Sequence, residues 1–220
     1  MDAQLRARLA EIVTARGVNG RLDAVSPRST PEVVAVCRAC AQLGMPLSVV
    51  SGAATDPAPG GRAITVSLGR LDQVRVEPGA MVVRAGAGAT LVSLRVAVDA
   101  VAMALVGVPG GGAGAAVHAG SLVARGQLPR RALTGVVAVL PEGEVVRAGG
   151  TVLKDVTGYD LAGALLGSMG RLALITEVVF RLQPRQARTT APEGPLGLAV
   201  ASSELLRRAF DPEGLLVAAR

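Results

Sequence analysis

Four groups of residues in this 220-residue chain have the types and spacing to do chemistry. The segment Lys154-Asp155-Val156-Thr157-Gly158-Tyr159-Asp160-Leu161 holds the only lysine, the only tyrosine and two carboxylates, and Gly167-Ser168-Met169-Gly170 follows it. Asp160 is placed to accept hydrogen bonds from the first amides of a short helix over Leu161–Leu166. Tyr159 can pack its ring under the loop while its hydroxyl reaches a partner. Two glycine-rich loops, Ser51–Asp56 and Gly110–Gly120, form the second group. Such loops expose consecutive backbone N–H groups to a phosphate, and glycine is needed where the chain touches a ligand closely or takes a positive φ. Cys37 and Cys40 have the C-x-x-C spacing of a redox pair, and His118 beside the second loop is a candidate base or ligand contact.

Each group also has a plainer reading. A redox-active dithiol starts at a helix N-terminus, where the thiolate is stabilised. Cys37 and Cys40 instead fall in the third turn of an expected helix, beside Val33, Val34 and Val36, so they read as buried thiols. Two cysteines and one histidine do not make a zinc site. His118 has no acid or nucleophile at motif spacing and reads as structural. Gly86-Ala87-Gly88 lacks the later glycine of G-x-G-x-x-G, and the absence of G-K-S/T excludes the P-loop. The residues alone leave the two loops open between phosphate cradles and ordinary turns.

The elements that must position these groups alternate. Residues 2–16 read as an amphipathic helix with Leu5, Leu9, Ile12 and Val13 on one face. Leu22–Val25 is strand-like. Thr30 is expected to cap a helix from Pro31 to about Leu43, with Glu32 complementing its dipole. Leu47–Val50, Ala63–Leu68 and Met81–Ala85 read as strands, with Asp72–Val76 a candidate further one. Thr90 is expected to cap a helix from Leu91 to about Met103. Val136–Leu140 and Glu144–Arg147 form a hairpin about Pro141-Glu142-Gly143. Leu174–Leu182 is a long strand closed by Pro184, and 201–208 suits one short helix.

The composition supports a packed core: half the residues are hydrophobic, while Tyr159, Phe180 and Phe210 are the only aromatics. The net charge of +6 comes from scattered arginines, without a basic run or stacking aromatics, which argues against a nucleic-acid partner. The field suits a diphosphate cofactor or an acidic protein. Low cysteine usage fits the cytoplasm. The opening Met1-Asp2-Ala3-Gln4 is not a signal peptide, and no apolar run reaches the length of a membrane span.

Taken together and in order, several of these segments resemble the FAD-binding domain of the vanillyl-alcohol oxidase and p-cresol methylhydroxylase family, and within it the FAD-binding subunit of glycolate oxidase. Ser26–Val33 resembles the opening strand and capped helix, and Ser67–Leu71 the family's aspartate–leucine–serine segment. Val83–Leu91 resembles the segment that opens the second lobe, and Val139–Gly150 the hairpin. Lys154–Leu161, Gly167–Gly170 and Leu174–Glu177 complete the set. The resemblance implies an α+β, two-lobed FAD-binding domain over 20–183, with lobes about 20–84 and 85–183. An N-terminal helix within 1–19 precedes it, and a short extension over 184–220 follows without a full substrate domain. It implies cofactor contacts at Ser51, Gly52, Ala53, Ala54 and Thr55, at Pro109, Gly110, Gly112, Ala113, Gly114 and Ala115, at Gly158, Tyr159 and Asp160, and at Ile175 and Thr176. Alanine stands at 53, 54 and 115 where the family favours glycine, and Gly112 where it favours threonine. The implied function is that of a FAD-dependent oxidoreductase, acting on a 2-hydroxy acid in a complex whose partner protein supplies the missing substrate-binding part. The alternative is an assembly subunit that binds no flavin and is not an enzyme.

Overall fold

The computed structural model describes residues 24–51, 63–108, 117–150, 160–185 and 209–217, together with positions 7, 9, 11 and 13. Its elements are β1 (Ala24–Val25), α1 (Thr30–Gln42), β2 (Leu47–Val50), β3 (Ile64–Ser67), β4 (Val74–Glu77), β5 (Val82–Gly86), α2 (Leu91–Asp99) and β6 (Met103–Leu105). They continue with α3 (Ala119–Ala124), β7 (Leu133–Val139), β8 (Val145–Gly149), α4 (Leu161–Leu165), β9 (Leu174–Pro184) and β10 (Leu216–Val217). Two sheets divide them. The first runs β1-β3-β2-β10 and is parallel throughout. The second runs β4-β5-β9-β7-β8, antiparallel, with β6 pairing antiparallel to the last residues of the long strand β9.

The apolar pattern of each helix decides what it covers. Helix α1 turns Val33, Val36, Cys37 and Cys40 into a core with Leu47, Ile64, Val66 and Leu216. Leu9 and Val13, on the apolar face expected near the N-terminus, are buried in the same core. Val139 and Leu174 of the second sheet also reach into it, so the two sheets share apolar contact. Helices α2 and α3 lay Leu91, Leu94, Val98, Leu122 and Val123 over Val83, Ala85, Val136, Val178 and Phe180.

The structure differs from the sequence reading at four places. Ser29, not Thr30, caps α1: its side chain accepts from the Glu32 N–H, and Thr30 is the first helical residue. Helix α2 stops at Asp99 because Ala102 takes a left-handed φ of 55° and Met103–Leu105 leaves to pair with β9. Residues 74–84, expected in the first lobe, pair into the second sheet through β4 and β5. Within the segment expected as an extension, Leu216–Val217 adds a strand beside β2. The carboxylate of the buried Asp211 holds the turn before it, accepting from the Leu215 and Leu216 N–H groups at 2.8 and 2.9 Å. The expected helix at 201–208 lies outside the described residues.

Candidate functional site

Ligands of open parallel sheets bind beyond the carboxyl ends of the strands. At that end of the first sheet, β1 leads to Ser26, β2 to Ser51 and β3 to Leu68-Gly69-Arg70. The strand ends are tied together, since the Leu68 N–H donates to the Val50 carbonyl at 2.8 Å.

Ala87 is the point where the two sheets meet this edge. It is fully buried. Its N–H donates to the Thr176 carbonyl at 3.0 Å, and its carbonyl accepts from the Gly120 N–H at 2.8 Å. A Cβ built on Gly120 would lie 2.9 Å from Ala87 Cβ and 3.0 Å from Ser51 Oγ, so glycine here lets the start of α3 close on both side chains. The residue that opens the first glycine loop, the glycine that ends the second, and Thr176 therefore converge on one alanine.

The flanking glycines have a packing reason. A Cβ on Gly86 would lie 2.1 Å from the Leu71 carbonyl, and one on Gly88 would lie 2.3 Å from the Leu68 carbonyl. The pair Gly86 and Gly88, rejected above as a nucleotide fingerprint, instead lets the 86–88 segment lie flat on the 68–72 connector.

Thr176 sits on a bulge. Val137 faces Glu177 and Ala138 faces Ile175, which leaves Thr176 as the extra residue on β9. Bulges gather beside active sites because they re-aim a side chain. Here the Thr176 hydroxyl donates to the Val137 carbonyl at 3.3 Å and accepts from the Thr30 hydroxyl at 3.1 Å. That second bond explains why Thr30 is drawn away from capping. Ile175 is buried in the second core.

Two clefts flank the junction. One of about 540 Å³ is lined by Ser26, Ser67, Gly69, Arg70, Asp72, Gly88, Thr90, Ser93 and His118. The other, of about 370 Å³, is lined by Thr30, Arg84, Val136, Val137, Arg147, Gly149, Gly150, Glu177 and Val179. In the smaller cleft Arg84 is held between Glu77 and Glu177 at 3.1 and 3.0 Å. In the larger, Thr90 and Ser93 satisfy each other, with Thr90 capping α2 as expected. His118 precedes α3, where its backbone N–H and carbonyl both bond the Ser121 hydroxyl. Burial pushes its imidazole below the usual histidine range, towards the neutral form.

Of the residues expected to contact a cofactor, the structure brings Ser51 and Thr176 to the junction. Asp160 lies elsewhere. It caps α4 through Gly163 and is paired with Arg130, and none of its described contacts is with the Ala87 cluster. Gly52, Ala53, Ala54, Thr55, Pro109, Gly110, Gly112, Ala113, Gly114, Ala115, Gly158 and Tyr159 lie outside the described residues. Ala87 and Arg70 escaped the sequence reading. Alanine carries no chemical signal, and one arginine does not stand out among many. The buried thiols behave as expected: burial pushes Cys40 up to about 12 and Cys37 higher still, where the neighbouring Cys40 and Glu142 add to it. Among the described residues no cluster of acids, histidines and cysteines suits a metal, and no helix is long and apolar enough to cross a membrane.

Comparison with known proteins bears on this arrangement directly. The profile of a family described as FAD binding domain matches residues 23–149. An uncharacterized FAD-linked oxidoreductase of Mycobacterium tuberculosis is 33% identical over 175 residues, covering 74% of this chain and 38% of that protein. The glycolate oxidase subunit GlcE of Escherichia coli is 28% identical over 147 residues, covering 63% of this chain and 42% of that subunit. Among solved structures, the 4-ethylphenol oxidase of Gulosibacter chungangensis superposes with a TM-score of 0.63 at 16% identity, over 84% of this chain and 44% of that one. The chain thus spans less than half the length of each of these proteins. The matched profile covers more than half of the chain and includes Ser51, Ala87 and Gly120 of the junction, with Thr176 beyond it. The chain belongs to the FAD binding domain family, in the α+β, two-lobed fold of vanillyl-alcohol oxidase and p-cresol methylhydroxylase, with FAD as its cofactor.

Proposed function

We propose that this chain holds FAD across the junction of its two sheets, as the flavin-carrying part of an oxidoreductase that acts on a 2-hydroxy acid in complex with a second protein. The observation that carries this reading is the convergence of Ser51, Gly120 and Thr176 on Ala87, at the carboxyl ends of parallel strands. The residues there fit a dinucleotide. The cleft of about 540 Å³ falls in the range of ligand sites. Gly120 keeps side-chain bulk out of the space where the first loop begins.

FAD, when bound, supplies the hydride acceptor, which no side chain of this protein offers. The chain's own residues bind and orient. The amides of Gly52–Thr55 would face the diphosphate, Gly112–Ala115 would line the flavin, and Gly158 and Tyr159 would close over it. Main-chain groups about Ile175 and Thr176 would approach its adenosine or flavin part, with the Thr30–Thr176–Val137 bonds fixing the bulge. The 2-hydroxy acid class and the second protein are suggested by the glycolate oxidase subunit among the relatives.

The test is to incubate purified protein with FAD, desalt it, and add glycolate without oxygen. Retained flavin absorbance that bleaches on addition supports the reading. Retained colour that glycolate leaves unchanged, both alone and with proteins that co-purify, rejects the substrate class. Protein that desalts colourless favours a flavin-free assembly subunit.

A further inference from the structure

The larger cleft holds a half-buried arginine with one nitrogen that nothing described in the protein satisfies. Arg70 follows β3 by three residues, and its Nη1 is buried with no hydrogen-bond partner among the described residues. A buried charged donor left unpaired is costly, so a native fold keeps one where something else completes it. Asp72, in the same lining, forms no ion pair with it. The guanidinium is not free to withdraw by moving its backbone. Leu68 is bonded to Val50, and a Cβ on Gly88 would lie 2.6 Å from the Gly69 carbonyl carbon, so the 68–70 turn is clamped from both sides. Among the described residues Arg70 is also the only guanidinium lining this cleft, where burial holds His118 towards neutrality.

We infer that Arg70 is an oxyanion-binding residue, taking a phosphate or carboxylate oxygen in the cleft at the ends of β1 and β3. The inference rests in part on the flavin reading. A diphosphate crossing the strand ends would bring its negative charge to this cleft. A side-chain cation offsets it. The carboxylate of a small hydroxy acid offers the same chemistry.

The experiment compares wild type with Arg70→Met and Arg70→Lys. Each is melted alone, with inorganic pyrophosphate, and with glycolate at matched ionic strength, then titrated with FAD and with riboflavin. A ligand that binds only the folded state raises the melting temperature. Because Met removes the unpartnered buried nitrogen and nearly keeps the volume, Arg70→Met is expected to melt no lower than wild type when unliganded. It is expected to lose the anion-dependent rise, with Arg70→Lys keeping part of it. If the oxyanion is the diphosphate, Arg70→Met weakens FAD about tenfold and leaves riboflavin unchanged. If it is a carboxylate, FAD affinity is unchanged and the glycolate-dependent rise is lost. Should wild type bind no FAD while pyrophosphate still protects it through Arg70, the flavin reading fails and the oxyanion site stands. Wild type that responds to neither anion, Arg70→Met that still responds, or Arg70→Met that melts well below wild type when unliganded would overturn the inference.

Discussion

Arg130 grips Asp160 in a fork. Its Nε donates to both carboxylate oxygens at 3.1 and 2.8 Å, and its Nη2 donates to Oδ1 at 2.7 Å. Oδ1 also accepts from the Gly163 N–H at 2.9 Å, so one carboxylate caps α4 and anchors the turn before β7. Asp160 stands where the 151–159 segment rejoins the described fold, and this contact fixes that return point. We propose that Asp160 acts through position rather than chemistry.

Asp160→Ala is therefore expected to lower stability by about 1 kcal/mol, read by urea unfolding. Asp160→Asn keeps a capping side chain and loses the ion pair. Since both partners are about half exposed, that change should stay within about 1 kcal/mol. The bonds from Arg130, opposed by partial burial and aided by Gly163, hold the Asp160 carboxyl below the usual carboxylate range. Its folded value is thus below its unfolded value. The contribution is present above the unfolded value, about 3.9, and is lost as pH falls through the folded one. The gap between wild type and Asp160→Asn should narrow below about pH 4. A gap that stays constant from neutral pH into that acid range would contradict the assignment.

Gly86→Ala and Gly88→Ala should each destabilise by about 1–3 kcal/mol, because the new methyl meets backbone carbonyls rather than a side chain that can move aside. The Gly86 and Gly88 N–H groups already bond the Gln73 and Leu71 carbonyls, each at 2.9 Å, which limits any relaxation. Gly79→Ala is the control. Nothing lies within 4 Å of its added Cβ, and its stability should match or slightly exceed that of wild type. Equal stability of all three variants would show that the 68–72 connector does not lie against 86–88 as described.

Cys37 and Cys40 should resist thiol reagents at neutral pH until the protein unfolds. Both are buried in the α1 core, and their raised pKa values leave almost no thiolate. The check is labelling by a thiol reagent across a urea series, with modification expected to track global unfolding. Fast labelling in native buffer would show that this C-x-x-C is a reactive dithiol after all.

What the sequence made legible was local. The helix over 30–42, the cap at Thr90, the Pro141–Gly143 hairpin and the cap at Asp160 all rest on residues within a few positions of one another. Where reading failed, a distant contact decided. Ser29 and Thr30 are equally good capping residues by type, and the hydroxyl of Thr176, 146 positions away, selects between them. Helix α2 would continue on its apolar pattern, but β9 claims Met103–Leu105. Strands β4 and β5 read the same in either sheet, and a two-residue strand at Leu216–Val217 is too short to carry a period. At the junction, Ser51 and Gly120 stood out through their glycine-rich loops and Thr176 through the family resemblance, whereas Ala87 matters only for its backbone and Arg70 only for where its guanidinium sits.

The central claim is that FAD spans the Ala87 junction, and hydrogen–deuterium exchange with and without FAD tests it most directly. Backbone amides that become bonded or covered exchange more slowly. FAD is expected to slow exchange in peptides covering 49–56, 86–90 and 109–121, while exchange in α2 beyond its first turn, whose Val92 and Val96 face solvent, stays unchanged. Unchanged exchange across all three junction peptides at saturating FAD would contradict the account.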